Sequence, residues 1–135
     1  VYSKDIKQSK GHLEIKKQRL LIKTIEQEID EINLKQRAQK ENLRIKLENL
    51  KEIIAINKEQ ILIAQQKVNE EKRLYNQGRG QLNFVIQARD NKYSTKLIYL
   101  TNLNTYHRLW YEYQALSDTL QGAVGLTASV KQKEG

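Results

Sequence analysis

Apolar residues recur at seven-residue intervals along most of this chain, and one short interruption divides the pattern in two. The first pattern covers about residues 5–77 and the second about residues 83–120, with Gly-Arg-Gly at residues 78–80 between them. The chain contains no proline. A seven-residue apolar period is typical of a helix that packs against another helix in a left-handed supercoil. The pattern therefore predicts two long helices joined at one break.

The break predicts a turn because it places Gly78 and Gly80 two positions apart. Glycine loses the most backbone entropy on folding and readily takes the left-handed conformation that ends a helix. We predict an all-α fold, a long antiparallel coiled-coil hairpin whose turn lies within residues 77–83. The tip covers residues 78–82, and Asn83 is the candidate N-cap of the return helix. At ~1.5 Å per residue the first arm is on the order of 100 Å long, so we infer that length is part of the function.

The packing seam of the first arm follows two rows of positions. One row holds Leu47, Ile54, Ile61, Val68 and Tyr75, and its companion holds Leu43, Leu50 and Ala64 with Asn57 as a polar gap. Earlier rows at the same spacing are Ile6, Leu13 and Leu20, then Ile22 and Ile29, then Ile25 and Ile32. Residues 33–42 are weak, because only Leu34 and Ala38 are apolar there. Either the arm is locally solvated at that point or the seam changes register.

Between about residues 43 and 64 the first arm is apolar on more than one side. The apolar residues that lie off the main stripe, the row from Leu47 to Tyr75, are Leu43, Ile45, Ile53, Ile56, Leu62 and Ile63. A helix with two apolar flanks needs neighbours on both sides. This predicts a packed ring or bundle, in which the chain associates through Ile53, Ile56, Leu62 and Ile63.

The return arm carries most of the aromatic residues. Its packing positions alternate by fours and threes through Tyr99, Leu103, Tyr106, Trp110, Tyr113 and Leu120, and Ile86, Tyr93 and Leu100 form another row. Ordinary packing is the favoured interpretation of this stripe, and a ligand or membrane belt is the minority one. From both arms, the residues predicted to pack between the helices are Leu47, Ile54, Ile61, Val68, Leu103, Tyr106 and Trp110. The pattern ends at Leu120, which predicts an irregular tail over residues 121–135.

Composition favours a thin helical structure over a thick core. The 135 residues allow one domain, 30% of them are charged, and the mean hydropathy is −0.75. No stretch approaches the ~20 apolar residues of a membrane helix, and no signal peptide is visible. Because Val1 is not a natural start, we expect an excised fragment or a mature segment.

Neither the charge nor the reactive side chains indicate catalysis. The net charge of +8 comes from lysines and arginines interleaved with glutamates, which favours a solvated helix surface over a nucleic-acid stripe. Cysteine is absent, and His12 and His107 lack partners at metal-ligand spacing. The Gly-Arg-Gly break lacks the Lys-Ser/Thr ending and the preceding strand of a phosphate loop. We predict no catalytic residue, no cofactor and no metal site, and therefore no enzyme.

An ordered set of residues around the break resembles a known family. The set comprises Ala64-Gln65, Tyr75-Asn76-Gln77-Gly78, Leu82, Val85-Ile86, Ala88, Tyr93, Tyr106, Leu116 and Leu120. It resembles the C-terminal repeat of TolC-like outer-membrane efflux proteins. Those proteins have a recurring Tyr-x-x-Gly, a short tip, and then an apolar pair and an alanine that open the return helix. The resemblance is best over residues 64–120.

The resemblance implies an architecture and a location. Such proteins are homotrimers with a β-barrel in the outer membrane of a Gram-negative type bacterium, continued across the periplasm by a long α-helical barrel. One very long helix of each repeat pairs with two shorter stacked ones, which agrees with arms of ~75 and ~38 residues here. By this resemblance the chain is a periplasmic hairpin of a trimeric barrel. Membrane strands and the first repeat would lie outside it, and those strands would provide the only membrane contact.

The resemblance also implies a function. Such a duct conducts exported substrates and docks a periplasmic adaptor protein that serves an inner-membrane pump. The residues that match the docking and entrance-closing tip are Tyr75, Gly78, Arg79 and Gly80. Structural explanations stay open for two of them, since Tyr75 also ends a packing row and Arg79 is also a solvated turn residue. Family members often carry acidic residues around the positions of Phe84 and Gln87, which are not acidic here, so no acidic constriction ring is implied.

Two other functions stay open. An adaptor-type or scaffold coiled coil would only mediate protein–protein contacts. Lipoyl-like and barrel domains would then flank it, in place of membrane strands and a second hairpin. A basic helical nucleic-acid binder is the least favoured alternative, and it would show a steep salt dependence of DNA binding.

Overall fold

Two long helices form the protein in a computed structural model that describes residues 2–133, with side chains for residues 2–122. Helix α1 is Tyr2–Asn76, 75 residues long, and helix α2 is Leu82–Lys133, 52 residues long. No strand occurs in the described residues. The predicted all-α class is confirmed, and the chain has no proline that would interrupt either helix.

The helices run antiparallel along a single seam. Asn57 of α1 bonds to Asn102 of α2, and Lys40, farther from the turn, lies over the ring of Tyr113. Contacts therefore pair earlier residues of α1 with later residues of α2. This arrangement is the predicted hairpin.

The seam of α1 contains the predicted rows. Leu47, Ala64 and Val68 are buried, and so are the polar residues Asn57 and Glu71. The half-buried members of the rows are Leu43, Leu50, Ile54 and Ile61. Tyr75 continues one row by spacing but is 45% exposed, because α1 ends one residue later and the chain turns away.

The seam of α2 differs from the prediction by one position in one of its rows. Val85 and Ala88 are buried, and the rows continue through half-buried Tyr99, Asn102, Tyr106, Leu109, Tyr113, Leu116 and Leu120. Leu103 is half-buried at the edge of the seam. Trp110 is 40% exposed and stacks on Tyr113 of its own helix, with ring centroids 6.0 Å apart. The prediction that Trp110 packs between the helices is therefore wrong, since Leu109 occupies the inward position.

The weak stretch of α1 stays in register. Asn33, Gln36 and Lys40 are half-buried at the seam positions, whereas Leu34 is 67% exposed. Gln36 lies seven residues before Leu43, so the row continues without a shift. The structure therefore excludes a change of register, and the seam continues through this stretch with half-buried polar residues.

The turn begins with a Schellman motif. The Arg79 N–H donates to the Leu74 carbonyl at 2.9 Å, and the Gly78 N–H donates to the Tyr75 carbonyl at 3.0 Å. Gly78 has a φ of 72°, in the left-handed region that glycine adopts without steric cost. The turn covers residues 77–81, which confirms its predicted position.

The predicted N-cap is wrong. Helix α2 begins at Leu82, so Asn83 is its second residue. The preceding residue, Gln81, accepts the Phe84 N–H through its carbonyl at 3.1 Å. The backbone is therefore already helical at Leu82, one residue before Asn83. The preference of asparagine for the N-cap position does not decide where α2 begins.

The predicted irregular tail is also wrong, because α2 continues to Lys133. Gly122 and Gly125 each cost about 1 kcal/mol in a helix, but two isolated glycines without a following proline do not end one. Residues 134 and 135 of the predicted tail lie outside the described residues.

The two arms differ in length. Helix α1 has 75 residues and α2 has 52, a difference of 23 residues or about 35 Å of helix. The first part of α1 therefore extends beyond the end of α2. Apolar residues there are about half exposed or more, namely Tyr2, Ile6, Leu13, Ile15 and Leu20.

Candidate interaction surfaces at the tip and on the two sides

The two glycines of the tip have different structural roles. Gly78 supplies the left-handed backbone, and a Cβ there would meet nothing within 4 Å. Gly80 supplies space, because a Cβ there would lie 3.1 Å from both the Leu74 Cβ and the Tyr75 nitrogen. The turn itself thus accounts for both glycines, and the outer side of Gly78 is open.

The structure brings all four predicted tip residues together at one end of the hairpin. Tyr75 is 45% exposed on the last turn of α1, Gly78 and Arg79 are exposed in the turn, and Gly80 is half-buried against α1. Their roles in adaptor docking and entrance closure stay predictions.

The tip also carries exposed residues that the sequence reasoning missed. Leu82, Phe84 and Ile86 are 53%, 47% and 47% exposed on the first turns of α2. Lys72 and Arg89 are exposed near them. The sequence feature that could have indicated the cations of the tip is local charge, since no acidic residue occurs between Glu71 and Asp90. The net charge of the whole chain does not show this local excess.

Ion pairs within α1 engage some of its charges. Arg73 contacts Glu70 at 2.6 Å, and Lys67 contacts Glu71 at 2.8 Å. The hydrogen bond from Arg73 lowers the pKa of the Glu70 carboxyl, and the bond to Glu71 raises the pKa of Lys67. Arg44 likewise lies between Glu41 and Glu48, each at 2.7 Å, and its hydrogen bond lowers the pKa of Glu41.

Shallow grooves along the seam define two sides of the hairpin. Side 1 is the side of the grooves lined by Lys67, Glu71, Phe84, Gln87, Ala88 and Asn91, and by Gln39, Asn42, Leu43, Lys46, Glu112 and Leu116. Side 2 is the side of the groove lined by Arg37, Lys40, Glu41, Tyr113, Ser117, Leu120 and Gln121. In a supercoiled hairpin, residues seven positions apart stay on the same side.

Side 1 carries an apolar stripe from α1. Ile53 lies seven residues after Lys46, and Ile56 and Ile63 lie 14 and 21 residues after Asn42. Their side chains are 43%, 53% and 63% exposed. We call these three residues the α1 stripe.

Side 2 carries a second apolar stripe, from α2. Its members are Ile86, Tyr93, Leu100, Leu103 and Trp110, which precede Gln121 or Ser117 of the side 2 groove by multiples of seven. Four of them are 40% to 61% exposed and Leu103 is half-buried. We call these five residues the α2 stripe.

The two stripes lie at the same height on opposite sides of one hairpin. Asn57 bonds to Asn102, so Ile56 of one stripe is level with Leu103 of the other. Leu62, predicted to associate together with the α1 stripe, lies 21 residues after Glu41 and so belongs to side 2. The structure thus divides the predicted association residues between the two sides.

A polar layer interrupts the seam between the stripes. The Asn102 Nδ2 donates to the Asn57 Oδ1 at 2.8 Å, and the Asn57 Nδ2 donates to the Gln60 Oε1 at 3.2 Å. Asn57 is 5% exposed. The bond between Asn57 and Asn102 forms only when the two asparagines are level, so it favours one register.

Within residues 2–133 no helix is long and apolar enough to cross a membrane. The residues whose side chains are described, 2–122, contain no group of three histidine, aspartate or glutamate side chains placed to hold a metal ion.

No protein-family model, no curated protein and no solved structure matches this chain.

Proposed function

We propose that this hairpin is part of the periplasmic wall of an outer-membrane efflux or secretion duct, as the resemblance to TolC-like proteins implies. In this proposal it surrounds exported substrates and docks an adaptor protein through its tip. The observation that supports the proposal most is the pair of apolar stripes on opposite sides of one hairpin.

Opposite stripes favour neighbours on both sides. The α1 stripe of one hairpin can pack against the α2 stripe of the next, at the same height and with both tips pointing the same way. Such a contact joins two different surfaces, so it repeats from hairpin to hairpin until the ring closes. An isolated hairpin would leave both stripes in water, which is costly for contiguous apolar surface.

The shape of the chain also supports a conduit. Helix α1 is about 110 Å long by its 75 residues, and the hairpin places its turn at one far end. A wall element needs length, surfaces for lateral contacts and an exposed end, and this chain offers its length, its two apolar stripes and its tip for these. The homotrimer, the adaptor and the inner-membrane pump come from the family resemblance.

The tip is tested in the protein as its gene encodes it, by drug susceptibility and by single-channel conductance of the purified trimer. We expect a bulky residue at Gly78 to impair adaptor docking while both helices stay folded. We expect Tyr75→Phe and Arg79→Ala to raise the conductance of the closed entrance, because each removes hydrogen-bonding capacity that can bridge neighbouring chains.

Gly78→Asn is the control for the turn, since asparagine tolerates the left-handed φ of 72° better than other residues do. Normal export by bulky Gly78 variants, with parental conductance of the Tyr75 and Arg79 variants, would contradict the assigned role of the tip. Loss of export in Gly78→Asn as well would point to the turn geometry itself.

A further inference from the structure

We infer that the tip binds an acidic surface of its partner protein. The inference names the chemistry of the partner and rests on the proposed docking role of the tip. It concerns the tip patch, which consists of Lys72, Arg79, Leu82, Arg89 and Ile86. Ile86 is the member of the α2 stripe nearest the turn, and it lies beyond the level of the α1 stripe.

Between Glu71 and Asp90 the tip carries charge of a single sign. That interval holds Lys72, Arg73, Arg79 and Arg89 and no aspartate or glutamate. Arg44, farther along α1, instead lies between two carboxylates, those of Glu41 and Glu48.

Three of the four cations at the tip are not neutralised within the hairpin. Arg73 is held by Glu70. Among the described residues, Lys72, Arg79 and Arg89 take part in no salt bridge, and all three are exposed. No acidic residue lies in the first turn of α2, next to these cations.

Two of these cations share side 2 at the same height. Lys72 lies 35 residues after Arg37 and Arg89 lies 28 residues before Ser117, and both reference residues line the side 2 groove. The two like charges therefore face the same side across the end of the seam, where they repel each other. A carboxylate of a partner placed between them would relieve this repulsion and bond to both.

Apolar residues of the tip patch favour a protein as the occupant. Leu82 and Ile86 are 53% and 47% exposed beside the cations. Protein-binding surfaces combine exposed apolar side chains with arginine, and the arginine fork bonds carboxylates in a bidentate manner. We therefore expect a partner helix or loop with glutamates or aspartates beside leucine-like residues.

The test uses a fluorescein-labelled helical peptide with three glutamates and two leucines on one face, and a second peptide with glutamines in place of the glutamates. Fluorescence anisotropy measures binding to the 135-residue chain at roughly 50 and 300 mM salt. We expect the glutamate peptide to bind more weakly at the higher salt concentration. We expect the glutamine peptide to bind at least about tenfold more weakly at either concentration.

The matched variants remove equal charge at two places. The triple variant Lys72→Gln/Arg79→Gln/Arg89→Gln should lose about tenfold or more in affinity for the glutamate peptide. The control Lys4→Gln/Lys10→Gln/Lys16→Gln lowers the net charge by the same three units, far from the tip, and should change affinity by less than about twofold. Circular dichroism establishes that both variants keep their helices.

An equal loss of affinity for the glutamate peptide in both triple variants would contradict the inference, because binding would then depend only on the net charge of the chain. Tip-dependent binding of phosphatidylglycerol vesicles or duplex DNA that exceeds peptide binding would also overturn it. A protein that trimerises and conducts but does not bind the peptide would contradict this inference and leave the proposed function intact. One that binds the peptide at the tip but neither trimerises nor conducts contradicts the proposed function.

Discussion

Gly78 and Gly80 satisfy different requirements of the same turn. Gly78 takes a left-handed φ of 72°, which costs a residue with a Cβ roughly 1–2 kcal/mol. Gly80 passes close to the last turn of α1, where a Cβ would meet the Leu74 Cβ and the Tyr75 nitrogen at 3.1 Å. The first requirement is conformational and the second is steric, so substitutions at the two sites should differ in how much they destabilise the hairpin.

We predict that Gly80→Ala destabilises the hairpin more than Gly78→Asn does. The added methyl group forces the backbone of the turn to move, whereas asparagine tolerates the left-handed region. Thermal unfolding followed by circular dichroism measures the difference. Gly11→Ala is a control that should change the melting temperature in the opposite direction. It has open space around its Cβ and should stabilise α1 by up to about 1 kcal/mol. A melting temperature of Gly80→Ala equal to that of the parent would refute the steric role.

The Glu70–Arg73 pair should make a small, pH-dependent contribution to stability. Arg73 lowers the pKa of Glu70 in the folded chain. The contribution is therefore complete above the ordinary glutamate pKa of about 4.3 and is lost as pH falls through the lowered value. We predict that Glu70→Gln melts below the parent at pH 7 and together with it near pH 2.

Glu59→Gln is the control for this comparison, because Glu59 is exposed and is in no salt bridge of the described residues. Both partners of the Glu70–Arg73 pair are about half exposed, so added salt should reduce the difference at pH 7. A difference that persists near pH 2 would show that another property of Glu70 is responsible.

At the scale of the helices, the Asn57–Asn102 bond favours one alignment of α1 and α2, in addition to the short turn that joins them. The seam rows of α1 from Leu43 to Val68 are otherwise apolar, so slipping by seven residues would still bury much of that part. Such a slip would leave a buried amide without its partner, which costs about 1–3 kcal/mol. A single polar layer in an apolar seam is a known device for setting register at some cost in stability.

We predict that Asn57→Ala lowers stability by about 1–3 kcal/mol, because it leaves the Asn102 amide unpaired. The double variant Asn57→Leu/Asn102→Leu should melt at or above the parent but lose alignment. Disulfide trapping measures alignment. In that background we expect Leu50→Cys to pair not only with Leu109→Cys, at the native height, but also with Leu116→Cys, one heptad away. Trapping of the native pair alone would contradict a role in register.

The sequence predicted the helices better than it predicted their ends. The seven-residue rows of α1 specify its inward face because two adjacent rows from Leu43 to Val68 are almost wholly apolar. In α2 two neighbouring pairs of rows are apolar, and spacing alone could not decide between Leu109 and Trp110 for the inward position. The structure decides it because the rows of α2 must meet those of α1.

The predicted start and end of α2 were wrong for local reasons. Asparagine at position 83 and glycines at 122 and 125 are residues that often mark helix ends. Neither signal acts here, because the Schellman turn already directs the chain into α2 and because isolated glycines only weaken a helix. The charge of the tip was missed since cations were weighed over the whole chain.

At the scale of the whole molecule, two apolar stripes face away from each other. This arrangement predicts that hairpins associate side to side. Trp110 is the single tryptophan of the chain and belongs to the α2 stripe, so its fluorescence reports burial of side 2. Any effect of side 1 on Trp110 must then pass through a neighbouring copy.

We predict a blue shift of Trp110 emission as the concentration of the chain rises, because association removes the indole from water. Ile56→Asp should abolish the shift although it lies on the opposite side of its own hairpin. Asn104→Asp, an exposed residue on neither stripe, adds the same charge and should leave the shift intact. A shift that survives Ile56→Asp would contradict packing of one stripe against the other.

The most direct measurement of side-to-side packing is disulfide trapping with Ile56→Cys/Leu100→Cys in a chain that has no other cysteine. The two positions lie on opposite sides of one hairpin, so a disulfide between them must join two copies. The control pair Glu59→Cys/Asn104→Cys places thiols at exposed positions outside both stripes. Mild oxidation and native mass spectrometry should show the stripe pair forming a covalent series that ends at one closed species, while the control pair stays mostly uncrosslinked. A stripe pair that stays monomeric, or a series without an end, would contradict a closed ring of hairpins.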